Sequence, residues 1–434
     1  MFDIMVSTAS NHLSGICAVS VAASNYWPQI RVLADSLGKF HPDWILHVLL
    51  IDLDREEECA QFESQEPNVR VWTLNRLGFP CCDVLSARYN ITELCTAVKP
   101  RLLKQVLLDT AAEKLFYLDP DLMFFSGMED AISQLDRAAL IFTPHFLSPD
   151  DAVSIRDEVT YLRIGTYNLG FAGMRNCETA MRFLDWWDVR CMRYSSSVPG
   201  AIFTDQQWIN LVPTMFRGTE DLIHPGYNVS YANLKGRNPS LRNGCPLVAD
   251  KPLVFFHFHK FKPPVDEWVY LQGHADQQWA KNVVGAYDRL LAEKFRDAVK
   301  LSSQFRLMSD GQSFPRLLIE TAHRMTEDGQ LWENLPACRS VDDVGKWLVN
   351  SEVAAPYSRS IAFWSHRLHR QGEFRETFDR YRSDPVTRGR IDNWFHLFAP
   401  RTLRFPAVWL SQGTVLRTLR RAVGLSQRLT GYPR

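Results

Sequence analysis

In the stretch Tyr117-Leu118-Asp119-Pro120-Asp121 two carboxylates stand one residue apart where an apolar run ends. Hard oxygen ligands on a fixed turn suit Mg²⁺ or Mn²⁺, and either ion also takes phosphate oxygens, which would bring a nucleoside diphosphate to the same place. Asp-x-Asp is equally an ordinary turn or capping element. Position favours the metal: the pair follows a strand-like run instead of lying in a polar loop, and ligands of open α/β folds gather at the carboxyl ends of strands.

The elements that must present such a pair are legible upstream. Ile16 to Ala22 reads as a strand, about Tyr26 to Phe40 as a helix with Ile30, Leu33, Ala34 and Leu37 on one face, and Trp44 to Ile51 as a second strand. Pro100 fits the first turn of a helix striped by Leu102, Leu103, Val106 and Leu107, which leads into the strand Leu115 to Leu118. This alternation predicts an α/β domain on a mostly parallel sheet. Strands near Leu140 to Thr143, Tyr167 to Met174 and Leu253 to Phe258 follow, with helices near Glu178 to Arg190 and Asp205 to Leu211. Trp186 and Trp187 fall at helical spacing as core residues. Past Pro263-Pro264 the pattern turns helical, over Gln277 to Ser302, Phe314 to Met325 and Ser358 to Arg382. The double proline therefore marks the expected boundary between a domain of residues 1–264 and a helical region of residues 265–434.

Composition removes several classes. With 46% hydrophobic and 23% charged residues in 434, the chain is an ordinary globular one. Lys plus Arg (49) cancels Asp plus Glu (49), so no overall positive field is present to hold a nucleic-acid backbone, and no nucleic-acid partner is expected. Nine cysteines without a Cys-x-x-Cys pair give neither a zinc site nor a disulfide framework, which suits a reducing, cytoplasmic setting. Gly15 to Ser24 is apolar, but Asp3 precedes it and no Lys or Arg comes before Arg31, so it reads as a buried strand and not as a signal core. From Asn393 to Arg434 there is no acidic residue against seven arginines, with Val415, Leu416, Leu419, Val423 and Leu425 among them at helical spacing. Two readings of this tail stand side by side: a helix lying on an anionic membrane surface, which would put the protein at the inner face of the membrane, or a packed terminal helix with a solvated basic face.

Five segments in order resemble the GT-A-fold glycosyltransferases, most closely the group of glycogenin and the bacterial lipopolysaccharide galactosyltransferases. They are Ser24-Asn25-Tyr26, Asp119-Pro120-Asp121, Tyr167-Asn168-Leu169-Gly170-Phe171, Thr204-Asp205-Gln206-Gln207, and His257-Phe258-His259 followed by Lys262-Pro263. The resemblance covers about residues 16 to 264. It implies a Rossmann-like GT-A domain that transfers a hexose from a nucleotide-diphosphate sugar, UDP-linked by preference, to a hydroxyl of a glycan or lipid-linked acceptor. By the same resemblance Asp119 and Asp121 are a metal pair and His257 the third ligand, although on so apolar a strand a satisfied core histidine is the competing reading. Lys262, or Lys260 since the spacing departs here, would hold the diphosphate. Ser24, Asn25 and Tyr26 would surround the base, and Lys99, or Arg101, would lie near the donor. Asn168, Asp205 and Gln206 would grip the donor sugar, with turn closure by Asn168 and helix capping by Asp205 as their structural counterparts.

Such a transfer needs the leaving diphosphate stabilised, which a divalent ion and a lysine do electrostatically. If configuration is retained, as the resemblance suggests, the leaving phosphate can take the acceptor's proton; if it is inverted, Asp205 is the carboxylate to serve as base. A phosphohydrolase of the haloacid dehalogenase type would carry its Asp-x-Asp at the first strand, a nucleotidyltransferase a Gly-rich basic loop where Ala22 to Tyr26 has neither Gly nor Arg, and a glycoside hydrolase two separated carboxylates. The alternative from another class is a GT-A-like binding module without turnover.

Overall fold

The computed structural model describes residues 15–53, 56–79, 89–149, 154–195, 202–263 and 265–296. The chain divides into two units, Met1–Cys82 with Tyr89–Phe305, and Asp83–Arg88 with Arg306–Arg434, and all described residues belong to the first. The helices expected around Phe314 to Met325 and Ser358 to Arg382, and the basic tail of residues 393–434, lie outside the described residues.

Seven strands form the main sheet in the order β3-β2-β1-β4-β7-β6-β8: β1 (Ile16–Ala22), β2 (Leu46–Leu50), β3 (Val69–Trp72), β4 (Lys114–Leu118), β6 (Leu140–Pro144), β7 (Tyr167–Arg175) and β8 (Thr219–Asp221). Strands β3, β2, β1 and β4 run parallel, β7 runs against both β4 and β6, and β8 runs with β6. Every residue of β2, and every residue of β1 after Ile16, is buried. Layers cover both faces of this parallel half, so its strands are continuous apolar runs and not alternating ones. The expected α/β class with a mostly parallel sheet is therefore present.

Helix α1 (Trp27–Phe40), with Pro28 in its first turn, buries Ile30, Leu33 and Leu37 against the sheet; α2 (Glu56–Glu63) follows β2. Helix α3 (Ile91–Thr110) departs from expectation, because Pro100 lies inside it and not at its start. The start is set by a capping box: Asn90 Oδ1 accepts from the Glu93 N–H at 2.9 Å and Glu93 Oε2 from the Asn90 N–H at 2.9 Å. That box sits beyond the apolar stripe on which the sequence reading relied. Asn90→Ala is expected to cost about 1 kcal/mol, seen as a lower urea midpoint at unchanged slope; an unmoved midpoint would show that the box does not set this end.

A second, two-stranded sheet joins β5 (Leu122–Phe124) antiparallel to β12 (Phe255–His257). Short α4 (Glu129–Gln134), α5 (Ile155–Ile164), α6 (Glu178–Arg193) and α7 (Val212–Met215) complete the outer layers, with a small sheet of β9 (Pro239–Arg242), β10 (Cys245–Val248) and β11 (Lys251–Pro252). Trp187 is fully buried on α6, as expected for core, and donates its indole N–H to the Asp205 carbonyl at 3.1 Å. After α8 (Glu267–Tyr270), α9 (Gln277–Arg296) buries Trp279, Val283, Val284, Tyr287 and Leu291 in one cluster with Phe256 and Phe258. Tyr287 stacks on Phe258 at 3.8 Å between ring centroids. Residues 277–296 thus pack in the first unit, past the boundary expected at Pro263-Pro264.

Candidate metal and donor site

The parallel strands end where the chain can turn without a ladder partner, and Asp119 sits at that point. Its N–H is still held by the Gly170 carbonyl of β7 at 2.9 Å, its carbonyl accepts from Leu122 at 3.3 Å, and β5 begins at once. Antiparallel pairing then sets His257 opposite Leu122, the residue after Asp121, and the Phe258 N–H donates to the Asp121 carbonyl at 2.9 Å. Register therefore brings the His257 imidazole to two carboxylates more than a hundred residues earlier in the chain. His257 Nε2 lies 3.5 Å from Asp119 Oδ2 and 3.2 Å from Asp121 Oδ1, and one ligand atom of each residue falls within 4.8 Å of the others. Two carboxylates and one imidazole form a donor set suited to Mn²⁺ or Mg²⁺.

The charges respond to one another. Burial pushes the Asp119 carboxyl up, against the pull of Lys99 and His257, and leaves it above its usual range. At Asp121 burial is again the largest influence and acts the same way, but the charge and hydrogen bond of His257, joined by His259 and a backbone hydrogen bond, together outweigh it, so this carboxyl ends below its usual range. Burial, the largest single influence, opposes the His257 imidazolium, but the charge and hydrogen bond of Asp121 together with the Asp119 charge outweigh it and raise the imidazole above its ordinary value. The cluster thus favours a positive charge at Nε2, where a proton and a divalent ion compete.

Gly170 makes the packing possible. A Cβ built there would lie 2.5 Å from Cε1 and Nδ1 of His257 and 3.2 Å from Asn228 Oδ1. Gly170→Ala is expected to displace the ring and weaken Mn²⁺ binding by about 10-fold or more. Unchanged affinity in a metal titration would show that the ring has room.

Beside the carboxylates runs a charged line. Lys99, buried on α3, forms an ion pair with Asp205 Oδ2 at 2.6 Å, donates to the Leu169 carbonyl at 3.3 Å and stands 3.9 Å over the Tyr117 ring. Tyr117 in turn donates its hydroxyl to Asp119 Oδ1 at 2.6 Å. The capping role considered for Asp205 is not observed, because the short 3-10 helix of Gln207–Leu211 begins after Gln206 with no side-chain cap. Lys99 holds the carboxylate instead, just after Thr204, whose φ of 48° is unusual for a β-branched residue.

The other expected residues divide. Asn168 closes on its own strand, its Oδ1 accepting from the Gly170 N–H at 3.0 Å. Gln206 clasps backbone at both ends of its amide, accepting from the Leu169 N–H at 3.1 Å and donating to the Ile164 carbonyl at 3.0 Å. Ser24 gives both its N–H and its hydroxyl to the Asp52 carboxylate at 2.7 Å each. Asn25 is exposed. Tyr26 is 41% exposed; burial and then the Asp121 charge raise its phenol above the ordinary value, so the two share one electrostatic neighbourhood. Arg101 pairs with Asp188 at 2.9 Å, away from the line that Lys99 joins. Lys260 and Lys262 are exposed, and among the described residues neither has a hydrogen bond or ion pair.

Sequence reasoning did not single out Asp52 or Asn228, and it quoted Tyr117 and His259 within their segments without giving either a role. Asp52 ends the second apolar run, and Tyr117 lies two residues before Asp119, so both had a signal in their distance from a strand end. His259, in the His-x-His of residues 257–259, is lowered to about 4 by burial and the neighbouring His257 charge and is therefore neutral.

No family model matches the chain. The uncharacterized protein YfnF of Bacillus subtilis (strain 168) is 27% identical over 255 residues, which cover 57% of this chain and 82% of YfnF. Among solved structures, the galactosyltransferase LgtC, in complex with donor and acceptor sugar analogs, aligns over 67% of this chain and 99% of its own, at a TM-score of 0.40 and 17% identity. The glycosyltransferase GlyE of Streptococcus pneumoniae TIGR4 aligns over 67% of this chain and 66% of its own, at 0.37 and 16%. The chain is thus similar to solved glycosyltransferases over about two thirds of its length.

Proposed function

We propose that this protein is a metal-dependent glycosyltransferase that moves a sugar from a nucleotide-diphosphate donor, UDP-linked by preference, to a hydroxyl of a glycan or lipid-linked acceptor, with retention of configuration. The observation that carries the reading is the convergence of Asp119, Asp121 and the Nε2 edge of His257 just beyond the parallel strands. These three would hold Mn²⁺ or Mg²⁺, which when bound supplies a positive charge to the leaving diphosphate. Lys262, or Lys260, adds a second cation on the segment after β12, and Ser24, Asn25 and Tyr26 form the loop for the base. Asn168, Asp205 and Gln206 orient the sugar. The Lys99 ion pair supports retention, since a carboxylate oxygen already engaged by an ammonium at 2.6 Å is not free to take the acceptor's proton.

The test is release of nucleoside diphosphate from UDP-, GDP- and ADP-sugars with Mn²⁺, with Mg²⁺ and with chelator. Release from one donor that chelator abolishes is the expected result. If no donor is hydrolysed and none gives a metal-dependent thermal shift, the non-catalytic binding module is the better reading.

The basic tail of residues 393–434 would hold the enzyme at an anionic inner membrane face, in a cytoplasmic setting. No helix among the described residues is long and apolar enough to cross a membrane. Full-length protein should co-sediment with phosphatidylserine liposomes and a chain ending before Asn393 should not; equal sedimentation would sink this part of the reading.

A further inference from the structure

We infer that Asn228 is a positioning residue that fixes which nitrogen of His257 carries the proton, so that Nε2 keeps its lone pair for the ion shared with Asp119 and Asp121. This rests on the metal reading above.

The assignment follows from donors and acceptors alone. Asn228 is 1% exposed, and its side-chain Nδ2 donates to the Asn168 carbonyl at 2.8 Å and to Thr143 Oγ1 at 2.8 Å. A backbone carbonyl has only lone pairs, so the amide cannot be turned over without setting oxygen against oxygen. Thr143 is fixed too, because its hydroxyl donates to the same Asn168 carbonyl at 3.2 Å and so offers Asn228 a lone pair. With the NH₂ group settled, Oδ1 is the atom facing His257 Nδ1 at 3.2 Å, and an amide oxygen can only accept. Nδ1 must therefore carry its hydrogen, and in the neutral ring Nε2 is the bare nitrogen. It is this nitrogen that faces Asp119 and Asp121.

The surroundings hold Asn228 to this task. Its φ of 49° is left-handed, a conformation that asparagine tolerates better than most residues, and its carbonyl accepts from Asn233 Nδ2 at 3.0 Å. Asn233 is itself fixed by the Ser230 N–H at 2.8 Å. A partner on the far nitrogen of a ligating imidazole typically sets metal affinity by about 10- to 100-fold.

Three full-length chains separate this role from simple packing: wild type, Asn228→Ala and Asn228→Asp. The aspartate keeps an acceptor for Nδ1–H but gives up both NH₂ hydrogen bonds, so it should lose thermal stability much as the alanine does. Mn²⁺ affinity, read from the free-ion electron paramagnetic resonance signal, should fall about 10- to 100-fold in Asn228→Ala and stay within a few-fold of wild type in Asn228→Asp. Long-range ¹H–¹⁵N correlation spectra of histidine-labelled, Mg²⁺-loaded protein should show His257 protonated at Nδ1 in wild type and in Asn228→Asp. Equal loss of Mn²⁺ affinity in both variants, or a wild-type His257 without the Nδ1 proton, would overturn the inference. Wild type that keeps the Nδ1 proton yet binds no Mn²⁺ would overturn the metal reading instead, and this role with it.

Discussion

Asp121→Ala is expected to abolish metal-dependent binding of nucleoside diphosphate, with a loss exceeding the roughly 100-fold that removal of a mere supporting partner brings, and Asp119→Ala should behave alike. Both residues contribute an oxygen within the 4.8 Å cluster, and neither has a replacement acid beside it among the described residues. The metal-free variants should still fold, because deleting one of two crowded carboxylates removes like-charge repulsion as well as a partner of His257. Thermal shift with Mn²⁺ and UDP, set against circular dichroism of the metal-free proteins, separates the two effects. A variant that retains the metal-dependent shift removes its aspartate from the ligand set. The same cluster predicts a pH dependence in chelator-treated wild type. His257 is raised above its ordinary 6.5 in the folded chain, so its contribution to stability is complete below that value and is lost as pH rises through the folded one. Mn²⁺ affinity should climb over the same interval as the Nε2 proton leaves. In Asp121→Asn the stability loss over this interval should shrink, since the largest charge that raises His257 is gone.

Much of the scaffold was legible in the sequence because central parallel strands are apolar on both faces. The runs Ile16 to Ala22 and Leu115 to Leu118 fall within a residue of β1 and β4. The start of α3 was not legible from periodicity, since its box at Asn90 and Glu93 lies beyond the apolar stripe, while Pro100 draws the eye to a later start. At the site, ligand types were legible and their neighbours were not. Asp119 and Asp121 stand one residue apart, but His257 joins them through the pairing of β5 with β12 across more than a hundred residues. Asn228 carries no local signal at all, because it lies on a loop and its partners Thr143, Asn168 and His257 come from three different strands. Polar residues such as Gln206 and Asn168 announce hydrogen bonding, yet only the fold says that these amides serve backbone first.

Lys99→Met is expected to destabilise the protein by about 3–5 kcal/mol, because it leaves the Asp205 carboxylate buried without its counter-charge. Each side chain of this pair is only 3% exposed, so water can neither screen the attraction nor replace the lost partner. By the usual size scaling of thermal unfolding this is a fall of roughly 5–8 °C in Tm for a folded unit of this size. Asp205→Leu added to Lys99→Met should recover most of it, since replacing both members of a buried pair with apolar groups is often neutral. A loss under about 1 kcal/mol in Lys99→Met would mean that water reaches the pair after all. The double variant, refolded but without this charge, then isolates the chemistry. Lys99 is the largest charge lowering Asp119, and Tyr117 lies between them, under the ammonium and donating to the carboxylate. Removing the pair should therefore weaken Mn²⁺ binding even in a stable protein, as Asp119 becomes harder to ionise. The anomeric configuration of the product completes the argument. Retention leaves Asp205 bound to Lys99 through the reaction, with no protein base required. Inversion would demand a carboxylate free to accept a proton, and an Asp205 that must first part from an ammonium at 2.6 Å is poorly placed to be that base.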